Sequence, residues 1–253
     1  MIKFSKFKNK KKIEKYFKEI KLDKLLNSEK NDKKTFPPNL LDLYRIHRFV
    51  IKNKRICALE YGTGWSSIII QHALNINKLR FKLPKGLRFK NPFSLTILDD
   101  DKKYLNISRK RFLNFFGKNI RTKFSYSKTR MVEYKKKYGT EYTNHPVLNP
   151  DFIYLDGPSQ HLVRGKINNF TTNHQDLMPM SIDILKYEHF LTPGTIILID
   201  GRTANARFLK LNLQRNWLYK HDVKNDQSIF YLQEKPLGQF NKLQLNFYNN
   251  KKI

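Results

Sequence analysis

A chain of 253 residues, 40% of them hydrophobic, is long enough to bury one full α/β core, and no apolar run approaches the roughly 20 residues that span a bilayer. The single cysteine, Cys57, excludes an intrachain disulfide and fits a buried thiol in a reducing compartment, so the expected location is the cytoplasm. A formal charge of +29 raises nucleic acid and anionic membrane surfaces as partners, but the lysines are scattered among Asn, Ile, Phe and Tyr, a set that AT-rich codons produce unaided.

The first 36 residues read as a basic amphipathic appendage, with Ile13, Phe17 and Ile20 at helical spacing and the breaker "TFPPN" behind them. Its apolar face suits either the edge of a core or a membrane surface. No signal-peptide pattern opens the chain. Residues 37–253 then form the main domain. "LLDLYRIHRFVIKN" predicts a helix, on which His47 is read as packed. From Arg55 onward strand-like and helix-like segments alternate, which predicts βαβ units and a mostly parallel sheet of about seven strands with helices on both faces.

The predicted strands are "RICALE", "SLTILD", "TKFSYS", "DFIYLD" and "TIILID". Between them, Ile69, Ile70, Ala73 and Leu74 share one helical face; Phe112, Leu113 and Phe116 share another before Gly117 as a stop. Met180, Ile184, Tyr187 and Leu191 follow at helical spacing, as do Ala204, Phe208 and Leu211. "NWLYKHD" and "SIFYLQE" around the turn "VKNDQ" predict a closing antiparallel hairpin.

Four of the five predicted strands end in a carboxylate: Glu60 before "YGTGWSS", Asp99 with Asp100 and Asp101, Asp156 before "GPSQH", and Asp200 before "GRTAN". One such acid is ordinary turn chemistry, but repetition at equivalent positions points to a site, because open parallel sheets bind ligands outside the carboxyl ends of their strands. Gly62 and Gly64 permit a sharp turn and close backbone approach, and Ser66 and Ser67 open the following helix. Ser67 stands where a nicotinamide fingerprint has its third glycine, and the second strand's acid comes late for that fingerprint. No Gly-Lys-Ser/Thr follows, which excludes a Walker loop. A carboxylate directly over the loop repels a pyrophosphate and attracts an ammonium or a diol.

With "LEYGTGWSS", "LTILDDDKKYL", "DFIYLDGP" and "LTPGTIILIDGR" in this order, the chain resembles the class I S-adenosylmethionine-dependent methyltransferases, nearest to small-molecule O-methyltransferases. The resemblance runs from about Arg55 to Glu234. It implies a Rossmann-like fold, S-adenosylmethionine as cofactor, and cofactor contacts from Glu60, Tyr61, Gly62, Gly64, Trp65, Ser66, Ser67, Asp99, Asp100 and Asp156, with Asp99 on the ribose. Trp65 and Tyr61 either face the sulfonium or adenine or pack under the loop. Asp156, His161, Asp200 and Arg202 are the expected catalytic candidates. A divalent metal is implied at Asp156 and Asp200 in related enzymes, but Gly201 replaces the second ligand of the usual pair, which leaves the metal unassigned.

"NPDF" at residues 149–152 superficially matches a base-methylation motif but precedes its strand, so the expected acceptor is a small molecule, methylated at a hydroxyl oxygen. The alternatives are an RNA methyltransferase using basic patches at residues 1–35 and 77–90, a non-catalytic binding module and, last, a nicotinamide oxidoreductase.

Overall fold

The computed structural model describes residues 2–3, 9–28, 36–117 and 121–249. Seven strands form one sheet in the order β3-β2-β1-β6-β7-β9-β8. These are β1 (Cys57–Tyr61), β2 (Ser94–Asp99), β3 (Thr122–Tyr126), β6 (Phe152–Leu155), β7 (Ile196–Asp200), β8 (Trp217–Asp222) and β9 (Gln227–Leu232). The first five in chain order run parallel; β9 runs against both β7 and β8, which forms the predicted closing hairpin. A separate antiparallel ribbon, β4 (Thr129–Tyr134) with β5 (Lys137–Tyr142), leaves the chain between β3 and β6. The five predicted strands are all present, displaced by a residue or two at their ends. The fold is Rossmann-like.

Every residue of β1 is buried, as expected for a central strand covered on both faces. Side chains alternate between two cores with the period-two rule of a strand. Ala58, Leu95, Ile97, Phe152, Tyr154, Ile196 and Leu198 enter one core with α3 (Leu40–Lys52), α4 (Trp65–Arg80) and Phe112 of α5 (Lys102–Phe116). Leu59, Tyr61, Leu98, Ile153, Leu155, Ile197 and Ile199 enter the other with α6 (Ile182–Tyr187) and α7 (Thr203–Asn212). Parity therefore sends Glu60, Asp99 and Asp200 to the same side of the sheet as α3 and α4.

The described part of the amino-terminal segment contributes to the first core; the rest of the appendage expected over residues 1–36 lies outside the described residues. Ile13 and Phe17 of α1 (Lys10–Glu19), Leu22, and Leu26 of α2 (Asp23–Ser28) are all buried there. Tyr16 Oη lies 2.6 Å from His47 Nδ1, and His47 Nε2 lies 2.9 Å from His72 Nδ1, so a polar chain runs from α1 through α3 to α4. Burial and the neighbouring His72 hold His47 well below the usual imidazole range. Among the described residues no helix is long and apolar enough to cross a membrane.

Three helical expectations need correction. Leu113 is exposed, because the buried face of α5 runs through Leu105, Ser108, Arg111 and Phe112. In α7 the buried residues are Asn205, Ala206 and Leu209, whereas Ala204 and Leu211 face solvent. The helix predicted across Met180 to Leu191 is confined to α6 and one following 3-10 turn, since Ser181 pairs across a bridge with Thr140. A last helix, α8 (Gly238–Asn249), lies outside the predicted elements.

Candidate functional site

The strand order reverses between β1 and β6, and there the loops that follow the two strands meet. Gly62 has φ +89°, and a Cβ on it would stand 2.7 Å from Asp156 O; a Cβ on Gly157 would stand 2.5 Å from Gly62 N. The two glycines exist for each other: they let one loop's backbone lie directly on the other's. Gly64 differs. It precedes α4, lines the cleft, and a Cβ there would meet nothing nearer than Ser66 Oγ at 3.9 Å. Gly64 thus leaves open space before a helix amino terminus, whose free N–H groups favour an anionic ligand group.

A cleft of about 220 Å³ opens here, walled by Phe36–Asn39, by Asp42, Leu43 and Ile46 of α3, by Thr63–Ser66, by Tyr104 and Arg111 of α5, and by Tyr154, Asp156 and Asp200. Trp65 Nε1 donates to Phe36 O at 3.2 Å, and the Arg111 guanidinium lies 4.1 Å from the Trp65 ring centre. Trp65 thus fastens the segment ahead of α3 over the glycine loop. Its NH group and one ring face serve the fold.

Glu60 is completely buried behind this cleft. Ser66 Oγ donates to its Oε1 at 2.6 Å, and its Oε2 has no hydrogen-bond partner among the described residues. Burial pushes the Glu60 carboxyl up to about 8, opposed by the Ser66 and Ser67 hydroxyls and reinforced by Asp156 and Asp99. Ser67 Oγ accepts from Gly64 N at 3.2 Å, and Thr63 Oγ1 donates to Ser108 Oγ of α5 at 2.8 Å. Both serines of "GTGWSS" thus act on the acid, and Ser67 also holds the loop.

The three consecutive aspartates also separate. Asp99 accepts from Asp101 N at 2.7 Å, and burial pushes it up to about 7. Asp100 accepts from Thr129 Oγ1 at 2.6 Å and from Ser159 N at 3.0 Å, tying β2 to the β4–β5 ribbon and to the loop after β6. Asp101 caps α5 by accepting from Lys103 N at 2.7 Å. Asp100, expected to contact a cofactor, has each carboxylate oxygen engaged by the protein. Tyr61 is likewise committed elsewhere: parity places its ring in the second core, stacked on Tyr142, with its hydroxyl 2.7 Å from His145 Nε2. Of the two placements open to its ring, packing into the fold is the one observed.

The catalytic candidates part company. Asp156, Asp200 and Arg202 come together; His161 is exposed and does not line the cleft. Arg202 Nε donates to Asp156 Oδ1 at 3.2 Å, Nη2 to Asp156 O at 2.8 Å and Nη1 to Pro158 O at 3.1 Å. Tyr154 Oη donates to Asp200 Oδ2 at 3.2 Å. Burial pushes Asp200 up to about 7, helped by Asp42 across the cleft. Residues that the sequence does not single out include Asp42, Tyr104, Arg111, Tyr154 and the wall at residues 36–39. Tyr154 is available from strand parity; the others depend on packing between distant segments.

The residues do not fit a divalent ion. A guanidinium already neutralises Asp156, Gly201 offers no side chain, and among the described residues no three His, Cys, Asp or Glu side chains converge as a ligand set. They fit a cationic organic ligand better. Asp42, Asp156 and Asp200 line the cleft with Glu60 and Asp99 behind it, and the positive charges described there are Arg111 and Arg202, each already engaged.

No protein-family model matches the sequence, and no curated protein sequence matches it. Among solved structures, the fold is similar to the S-adenosylhomocysteine-bound methyltransferase PaMTH1 of Podospora anserina, at a TM-score of 0.52 and 13% identity, covering 92% of this chain and 100% of that one. An O-methyltransferase from Bacillus cereus, in complex with S-adenosylhomocysteine, aligns at a TM-score of 0.45 and 13% identity over 87% of this chain and 91% of its own.

Proposed function

We propose that the protein transfers a methyl group from S-adenosylmethionine to a hydroxyl oxygen of a small-molecule acceptor, as a cytoplasmic enzyme. The observation that carries this is the half-satisfied Glu60: a fully buried carboxylate, one oxygen bonded to a cleft-lining serine and the other orphaned, behind a glycine loop that leaves room for a ligand. Leaving a buried acid incompletely paired costs roughly 1–3 kcal/mol, which a fold tolerates where a ligand restores the balance. The shared fold with an S-adenosylhomocysteine-bound methyltransferase supports the same cofactor.

Gly64 and Ser66 would hold the amino-acid portion of the cofactor, the α4 amino terminus suiting its carboxylate and Glu60 its ammonium. Asp99 takes the ribose hydroxyls. When bound, the cofactor supplies an electrophilic methyl on a sulfonium. This chain's own groups then hold the acceptor oxygen in line behind that methyl, which is the larger part of the catalysis. Arg202, fixed by three hydrogen bonds, pairs with the half-exposed Asp156 carboxylate and holds the loop after β6 in place. Asp200, with its carboxyl near 7, accepts the acceptor's hydroxyl proton, and Tyr154 orients it.

The test is to incubate the full chain with S-adenosylmethionine and a panel of phenolic, catecholic and sugar hydroxyl acceptors, and to quantify S-adenosylhomocysteine. Acceptor-dependent product that disappears in Asp200→Asn supports the assignment. A chain that binds the cofactor but turns over no hydroxyl acceptor refutes it.

A further inference from the structure

The β4–β5 ribbon has a third member. Arg164, in the loop after β6, forms a parallel bridge with Arg130: Met131 N donates to Arg164 O at 2.8 Å, and Arg164 N to Thr129 O at 3.0 Å. Alternation then sorts the side chains. Thr129, Met131 and Val163 are buried, so Lys128, Arg130 and Arg164 project from the outward face. The result is two arginines abreast, with a lysine two residues before the first.

Like charges placed directly opposite on a sheet repel, and bridged side chains stand roughly 5 Å apart at Cβ. A single carboxylate answers them. Glu141, opposite Arg130 in the β4–β5 register, accepts from Arg130 Nη2 at 2.8 Å and is also bonded by Lys186 of α6. Lys128 and Arg164 have no ion pair among the described residues. Arg130 and Lys186 therefore share the one carboxylate, and the unanswered charge is that of Arg164 and Lys128. In a chain whose positive charge is mostly dispersed lysine, paired arginines with forked donors are the arrangement that suits phosphate oxygens.

The buried face of the ribbon fixes where it stands. Thr129 hydrogen-bonds Asp100 at the end of β2, and Ser159, five residues before Arg164, donates its N–H to the same carboxylate. The ribbon is thus rooted at the carboxyl-end rim beside Asp99 and the loop carrying Asp156. Resting on the methyl-transfer assignment, we propose that the Lys128–Arg130–Arg164 face binds a phosphate group of the acceptor, so that the substrate is a phosphorylated small molecule whose hydroxyl reaches the cleft. The cleft itself, lined by carboxylates, repels such a group. A substrate with an anionic end and a neutral reacting end is therefore oriented by the contrast. The patch is compact, which distinguishes it from the extended basic track a nucleic acid requires.

The test uses the full chain in low-salt buffer, titrated calorimetrically with inorganic pyrophosphate, a ten-nucleotide single-stranded RNA and S-adenosylhomocysteine in separate arms. The variants are Lys128→Gln with Arg164→Gln and, as a charge-matched control, Lys82→Gln with Lys85→Gln, all exposed positions. The expected result is pyrophosphate binding that weakens about tenfold in the first double variant and is unchanged in the control, with S-adenosylhomocysteine affinity equal in all three proteins. Three results overturn the proposal: no pyrophosphate binding by the unmodified chain, an equal loss in both double variants, or RNA binding that depends on Lys128 and Arg164 while pyrophosphate is ignored. Pyrophosphate held by this face in a chain that takes no S-adenosylhomocysteine refutes the methyl-transfer assignment and, with it, the assignment to an acceptor.

Discussion

Two buried carboxylates stand at opposite ends of the central sheet, and the protein treats them differently. At the amino ends, Asp151 accepts from Ile56 N at 2.9 Å, Cys57 N at 2.8 Å and Tyr248 Oη at 2.6 Å. Arg55 lies beside it, donating to Gly194 O at 2.9 Å and stacked 3.7 Å from the Tyr248 ring centre. At the carboxyl ends, Glu60 has Ser66 and an orphaned oxygen. Both acids are fully buried, so burial alone does not separate structure from function. Their pairing differs: saturated Asp151 ties the start of β6 to the start of β1 and to α8, whereas Glu60, facing the cleft through Ser66, keeps an oxygen that a ligand can satisfy.

The widest difference is expected from breaking the saturated end. Asp151→Ala strands Arg55 and several N–H groups in the core at a cost of about 3–5 kcal/mol, which in a chain of this size lowers the melting temperature by about 10 °C or more. At the other end the same kind of change acts on chemistry. Asp200→Asn is expected to reduce turnover a hundredfold or more, on the order of 3 kcal/mol, without lowering the melting temperature; in the unmodified chain, turnover should rise with pH through about 7 as Asp200 ionises.

Glu60→Gln sharpens the contrast further, because it should weaken S-adenosylhomocysteine binding by about 2 kcal/mol while stabilising the free protein. The sign follows from linkage. Folding raises the Glu60 carboxyl from 4.5 to about 8, so between those values the folded chain holds the proton more tightly and stability falls as pH rises. Melting curves of variant and unmodified chain should agree near pH 4.5 and diverge up to about pH 8, with the variant higher. The smallest effect belongs to Trp65→Phe, which removes the bond to Phe36 O; about 1 kcal/mol and a few-fold loss of S-adenosylhomocysteine affinity are expected by calorimetry.

The carboxyl-end site is largely legible in the sequence because its residues follow apolar runs. A strand such as "SLTILD" declares its own end, and the acid there needs no distant partner to be noticed. The β4–β5 ribbon is not legible, for two reasons. Its turn is made by Lys135 and Lys136, both in the left-handed region at φ +50° and +60°, where Asn-Gly would have announced a hairpin. Its strands carry too few apolar residues to alternate visibly. Asp151 is readable only as part of a strand, since its partners come from Arg55 and from Tyr248 of α8, whose buried Asn241 and Gln244 hide its inner face in a polar sequence. Adjacency to a motif does not show which partners a side chain meets: local hydrogen bonds engage Asp100, and parity places the Tyr61 ring in the second core.

The most direct measurement is calorimetric titration of the chain with S-adenosylhomocysteine at pH 7 in buffers of different ionisation enthalpy. Glu60 is mostly protonated before binding and must ionise to meet an ammonium, so binding with net proton release is expected, and that release should fall in Glu60→Gln. Binding with no dependence on buffer, or equal affinity in Glu60→Gln, would contradict the role assigned to the unsaturated acid.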